Sequence, residues 1–215
     1  MPWAPDYASV DELRDFVRID DVADDTIIEA ALSASSRAID YACDPRPEHF
    51  RQFGQTDAVE DRYFTASRRG YDTPVRGQWV ALVDDIATAV GLVVAADGGS
   101  GAYTPVEGTT LLPRNAAAHG RPATAILFAG SSMPTPPASA DAVKVTGTWG
   151  WPAIPTAIHE ACLMQSSRLI ARRDAPFGVA GSPETGTEIR LLARLDPDVE
   201  LMVRPYILKI GTVVA

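Results

Sequence analysis

The chain of 215 residues is poor in the side chains that cross-link, coordinate or grip. It has two cysteines, Cys43 and Cys162, each inside an apolar helical pattern, so no disulfide is expected and both read as small buried thiols. Its three histidines are scattered, and neither cysteine has a partner at metal-ligand spacing. Lys and Arg number 19 against 28 Asp and Glu, a net charge of -9, which disfavours a protein that holds phosphate backbone through clustered cations. Such a surface would let DNA slide past without specific binding. The longest apolar runs, Gly91 to Ala96 and Ala125 to Ala129, fall far short of the ~20 residues a membrane helix needs. The start, Met1 to Asp6, has neither the basic stretch nor the apolar core of an export signal, so cytoplasmic synthesis without a membrane step is the expectation. No period of 20 to 50 residues repeats, which argues against a solenoid or propeller.

What is present is an ordinary globular balance, 46% hydrophobic and 22% charged, enough for one large domain or two small ones. Ser9 followed by Glu12 makes a capping box, and Leu13, Phe16 and Val17 then share one face of a short helix. A second helix is expected to run to about Cys43, opened by the carboxylate of Asp24 or Asp25, with Thr26 and Glu29 as another capping register. Its stripe is Ile28, Leu32, Ser35, Ile39 and Ala42, flanked by Ile27, Ala31, Ala34 and Ala38, whose small side chains admit a close neighbour. Asp44-Pro45-Arg46-Pro47 stops it.

From about Phe50 the pattern changes to short β-prone runs between Gly, Pro, Asp and Ser, predicting strands at 59–65, 79–83, 91–95, 124–128 and 142–148. Asp97-Gly98-Gly99-Ser100-Gly101 suits a tight turn that closes a hairpin. Residues 131–139, rich in proline and small side chains, read as an exposed connection. Helix returns after Trp149-Gly150-Trp151-Pro152-Ala153-Ile154-Pro155, with Pro155 in its first turn, and reaches about Arg173. Ala157, Ile158, Ala161, Cys162, Leu163, Met164, Leu169 and Ile170 spread round most of that helix, which must then pack on more than one side. A long loop, 174–187, precedes a last short helix from Asp196 that stops before Pro205. The expected plan is α+β: helices in 1–48, an antiparallel β-rich insert in 49–150, and helices with an extended tail in 151–215, the helical parts forming one domain.

The search for chemistry returns little. His159-Glu160 opens a zinc-protease-like helix motif, but the second ligand position is Leu163. His49 and His119 stand in polar, loop-like sequence. Gly98, Gly99 and Gly101 share only composition with a phosphate loop, and the acids Asp20, Asp21, Asp24 and Asp25 miss the calcium-loop spacing, so capping explains them better. Ser131-Ser132 lacks the flanks of a nucleophile elbow. No catalytic residue, cofactor or metal is expected. Association is the stronger theme, because the apolar tail Ile207 to Ala215 needs a sheet edge to pair with, either in its own chain or in a partner.

Three segments resemble the head-tail connector, or adaptor, family of long-tailed bacteriophages. The first is Tyr7-Ala8-Ser9-Val10-Asp11-Glu12-Leu13 through Asp24-Asp25-Thr26-Ile27-Ile28-Glu29-Ala30-Ala31-Leu32 to Ser36-Arg37-Ala38-Ile39-Asp40. The second is Val145-Thr146-Gly147-Thr148-Trp149-Gly150-Trp151-Pro152-Ala153-Ile154-Pro155. The third is Arg168 to Asp174 with Pro176-Phe177-Gly178-Val179-Ala180-Gly181, then Asp196-Pro197-Asp198-Val199 and Pro205-Tyr206. The resemblance implies a non-enzymatic virion protein of the neck, assembled in the bacterial host cytoplasm. It would form a homo-oligomeric ring, usually of twelve copies, that docks on the portal protein, continues the DNA channel and meets a stopper or tail-completion protein. Partner contacts are expected at Pro176, Phe177, Gly178 and Val179 of the loop and at Tyr206, Ile207, Leu208, Ile210, Val213 and Val214 of the tail. Rival expectations are a small module that binds a peptide or carbohydrate through its β insert, and an enzyme of unrecognised type.

Overall fold

In the computed structural model, the structure describes residues 5–19, 24–44, 52–56, 58–68, 78–129, 140–174, 179–180, 189–190 and 195–208. The chain is α+β and divides into two compact units. One gathers the described residues of Met1–Arg51 and Ile154–Leu208, and the other those of Gln52–Ala153.

The first unit is helical. Helix α1 is Val10–Val17, opened by the Ser9/Glu12 box: the Glu12 N–H donates to Ser9 Oγ at 3.3 Å and the Ser9 N–H to Glu12 Oε2 at 2.8 Å. Leu13 is wholly buried, but Phe16, expected on the same face, is 46% exposed. The helix is only two turns long, and its buried stripe is too narrow to take in a residue 60° away.

Helix α2 is Asp25–Cys43. Asp24 stands at its N-cap but gives no side-chain cap, its carbonyl instead accepting from Ile27 and Ile28 at 2.9 and 3.0 Å. The Asp25 carboxylate is turned to Arg14, whose Nε and Nη2 reach its two oxygens at 3.0 and 3.1 Å. The alternative box of Thr26 and Glu29 is not formed, since Thr26 already lies inside the first turn. Ile28, Leu32, Ser35 and Ile39 are core as expected, while Ala42 is half-buried. The small-residue stripe divides: Ala31 is buried, Ile27 and Ala38 are half-buried and Ala34 is exposed. The buried face is centred instead towards Ser36, Asp40 and Cys43.

Helix α3, Thr156–Asp174, contacts α1 and α2, and also α4, Pro197–Val203. Of its expected apolar circumference, Ile158, Ala161, Cys162 and Leu163 are buried, together with the polar Gln165 and Ser166, while Ala157, Met164, Leu169 and Ile170 are half-buried. Pro155 sits one place earlier than expected, its carbonyl accepting the first N–H groups of the helix from Ile158 and His159. Asp196 caps α4 by accepting from the Asp198 N–H at 3.0 Å, and its other oxygen takes Arg168 Nη1 at 2.8 Å. The loop expected over 174–187 is not wholly irregular: β9, Val179–Ala180, pairs antiparallel with β10, Ile189–Arg190.

The second unit is β-rich, with a 3-10 turn at Ala117–His119. Its strands are β1 Glu60–Phe64, β2 Ala66–Arg68, β3 Trp79–Ile86, β4 Val93–Asp97, β5 Tyr103–Pro105, β6 Thr109–Leu112, β7 Ala123–Phe128 and β8 Val143–Gly147. They form two antiparallel sheets, β1-β8-β4-β5 and β2-β3-β7-β6. Strand β4 starts two residues later than expected because Gly91, at φ +73, lies in a turn closed by Leu92 N–H on Ala89 O. The expected hairpin at 97–101 is present and joins β4 to β5. Strands β2 and β6 were not expected, and β5 was implied only as the second arm of that hairpin. Alternate side chains from both sheets, among them Val83, Val94, Ile126, Phe128, Val143 and Val145, close one core around Trp149. Each large side chain fully buried there contributes about 2 kcal/mol.

Trp149 anchors that core. Its Nε1–H donates to Glu60 O at 3.1 Å, Phe64 packs at 5.5 Å between centroids, and the Arg62 guanidinium lies 4.6 Å from the ring centre. The segments that enter and leave the unit are tied together beside it. Thr56 N–H donates to Trp149 O at 2.9 Å, Gln55 Nε2 to Pro152 O at 2.8 Å, and Gly150 N–H to Asp85 O at 2.7 Å. Trp151 donates its Nε1–H to Asp85 Oδ2 at 2.9 Å and packs on Phe53 at 5.2 Å.

Candidate functional site

Sequence features that hint at chemistry are used structurally. His159 Nε2 stands 3.2 Å from Glu12 Oε1 and its Nδ1 3.6 Å from Glu160, so the zinc-protease-like pair is a tie between α3 and α1. The Glu12 carboxyl is held below its ordinary range by hydrogen bonds from the Ser9 backbone and hydroxyl, with His159 helping. The glycine-rich turn after β4 has the form of an anion nest, and its anion is its own: Asp97 accepts from the N–H groups of Gly99, Ser100 and Gly101 at 2.8, 2.9 and 3.0 Å. Desolvation pushes the Asp97 carboxyl up, but these donors together hold it below its usual value. A phosphate would have to displace that carboxylate. Asp20, Asp21, His49 and the Ser131-Ser132 pair lie outside the described residues, and His119 ends an exposed 3-10 turn. No group of three or more His, Cys, Asp or Glu among the described residues could hold a metal ion. No helix among them is long and apolar enough to cross a membrane.

The expected partner-binding residues fall in two places. Val179 lies on the β9 ribbon, while Pro176, Phe177 and Gly178 lie outside the described residues. Tyr206 ends a 3-10 turn after α4, Ile207 is 38% exposed, and Leu208 N–H donates to Cys43 O at 2.7 Å. The root of the tail is thus fastened to the end of α2. Ile210, Val213 and Val214 lie outside the described residues. Further exposed apolar side chains stand on the helical unit at Phe16, Tyr41 and Leu201.

The β unit carries a surface that the sequence reading missed. On the outward face of the first sheet, Tyr63 of β1 and Tyr103 of β5 meet edge to face at 5.6 Å, although two strands separate them. Lys144 of β8, paired in register with Tyr63, reaches Asp61 at 2.7 Å, and Thr146 donates its hydroxyl to the same carboxylate. The hydrogen bonds from Lys144 and Thr146 hold Asp61 below the usual carboxyl range, and Asp61 in turn raises Lys144. Tyr103 OH donates to Asp141 O at 2.8 Å, and its acidity is lowered by desolvation and then by Asp97. Val93, 48% exposed, completes the face. The alternation Asp61-Arg62-Tyr63-Phe64 was the available signal, since it puts Tyr63 on the face opposite to Phe64.

No protein-family model matches the chain, and no curated protein matches it. Among solved structures, the chain is similar to one in the "Neck of native GTA particle computed with C12 symmetry", with 22% identity, a TM-score of 0.41, and coverage of 87% of this chain and 92% of that one.

Proposed function

We propose that the chain is a head-tail adaptor of a phage-like particle, a subunit of a homo-oligomeric ring of twelve that docks on the portal and extends the DNA channel towards a stopper or tail-completion protein. The observation that carries this reading is the order of construction. Helices from both ends of the chain form one unit, an antiparallel β unit is inserted between them, and the three segments that resemble the adaptor family fall on that plan. The first lies on α1 and α2, the second runs from β8 to the start of α3, and the third takes in the end of α3, α4 and Tyr206.

The charge distribution supports a helical inner wall. Residues 1–51 hold twelve acidic and five basic side chains, most of the net charge of -9. A wall of that sign repels phosphate and keeps duplex DNA sliding without specific binding. Exposed Tyr41 and Leu201 give the helical unit apolar contact area for a neighbour. The role is structural, in the virion neck after assembly in the host cytoplasm, and needs no catalytic residue. Negative-stain imaging of the purified protein with and without portal tests it. Rings of twelve, or rings that form only on portal, are expected, and a monomer that ignores portal overturns it.

The Tyr63 and Tyr103 face favours a second reading, a module that binds a peptide or carbohydrate through its β unit. A monomer whose ligand binding is lost in Tyr63→Ala would support that reading.

A further inference from the structure

Ser36, Arg37 and Asp40, little more than one turn of α2, hold the segment that precedes α1. Tyr7 is 1% exposed, and its hydroxyl donates to Oδ1 of Asp40, which is fully buried. The Tyr7 N–H donates to Ser36 Oγ at 3.1 Å, and Arg37 Nη2 to Pro5 O at 2.8 Å. Arg37 Nε stands 2.8 Å from Asp40 Oδ2, and its guanidinium lies 5.7 Å from the centre of the Tyr7 ring.

We propose that residues 5–9 form a proton-controlled strap, closed tightly over α2 while Asp40 carries a proton and loosened when that proton is lost. Closing the strap takes Asp40 out of water, and a carboxylate deprived of water is costly unless fully compensated. Burial is the largest influence on this group and pushes it from 3.8 up to about 7. The Tyr7 hydroxyl and Arg37 pull it down, and Asp6 on the strap pushes it up again. With the strap lifted, water returns and the ordinary acidity with it. The closed form therefore binds the proton more tightly, and proton loss favours opening. The opening equilibrium rises up to tenfold per pH unit between about 4 and 7 and is level above.

The other ionisable groups around Asp40 are Tyr7 and Asp6 of the strap, Arg37 and Asp44 of α2 and its C-cap, and Cys162 of α3. Cys162 of α3, whose Sγ lies 3.4 Å from Ser36 Oγ, is raised by burial and stays a neutral thiol. Asp44, buried at the C-cap of α2, and Asp6 are the carboxyls nearest along the chain.

Hydrogen exchange of the full chain, followed by mass spectrometry from about pH 5 to pH 8 and corrected for intrinsic rates, tests the strap. Protection of the Tyr7 amide should fall at least tenfold towards pH 7 and then level off, while the α2 amides hold steady. Asp40→Asn, which mimics the protonated form, should flatten the profile. A Tyr7 profile that is flat in the wild-type chain overturns the proposal without any variant. So does a folded Asp40→Asn protein with the wild-type slope. Tyr7→Phe removes one donor to the ionised form, and should loosen the strap near pH 8 more than near pH 5. Equal loosening at both also overturns it.

Discussion

Gly150 and Gly54 are in backbone contact: a Cβ built on Gly150 would lie 2.0 Å from the carbonyl oxygen of Gly54. Gly150 also has φ +97, a conformation that a side chain disfavours, so two independent constraints require glycine there. Replacing it would separate the entering and leaving segments of the β unit and strip Trp149 of its support. Gly150→Ala should therefore cost several kcal/mol, more than a routine surface substitution, read as a lower urea midpoint or as insoluble expression.

That contact also shows what the sequence could and could not reveal. The helices were legible because their signals are local: Ser9 with Glu12, the Pro after Asp196, and the prolines after Asp44 act within one turn. Strand β2 escaped, and β5 was implied only by its turn, because Ala66–Arg68 and Tyr103–Pro105 are three residues long, too short for alternation, and β5 is exposed throughout. Ser36 and Asp40 escaped for another reason. A polar residue on a helix is read as facing water, and their burial depends on partners distant in sequence, the Tyr7 segment lying across α2 and, for Ser36, Cys162 of α3. The Trp149-Gly150-Trp151 motif was visible as a pattern, but its purpose depends on Gly54 and Asp85, which are distant in sequence. The partner residues proposed on the tail came from its apolar, β-branched composition and those on the loop from its length, signals that mark a surface for association without naming what it meets.

Ser9→Ala tests the local layer. It removes the hydroxyl that accepts the Glu12 N–H and should lower stability by about 1 kcal/mol, measured by urea unfolding at neutral pH. Because the box holds the Glu12 carboxyl below its ordinary value, its charged share is present above that value and is lost as pH falls through the depressed one. The difference between wild type and Ser9→Ala should therefore shrink in acid.

Asp40 has the opposite sign. Its folded-state acidity is weakened, from 3.8 to about 7, so its contribution is complete below the unfolded value and is lost as pH rises through the folded one. Wild-type stability should decline between about pH 4 and pH 7 relative to Asp40→Asn, by a few kcal/mol at most, and the two curves should run parallel above that window. Parallel curves throughout would show that Asp40 is ionised with ease in the folded protein.

The tail gives the sharpest test of assembly. Leu208 is fastened to Cys43 within the helical unit, so a truncation should spare it and remove only 209–215. If the tail adds to a partner and not to its own chain, the shortened chain should unfold at the wild-type urea midpoint within experimental error, and a lowered midpoint would assign the tail to its own fold. The removed sequence, Lys209-Ile210-Gly211-Thr212-Val213-Val214-Ala215, is apolar and β-branched enough to add as a strand to a partner's sheet edge. If it supplies that contact, the truncated protein stays folded but fails to attach to heads, and adding intact protein to the same heads restores attachment. Truncated protein that fills necks as well as the full chain would assign docking to the helical surface instead, where Tyr41 and Leu201 would be the next side chains to replace.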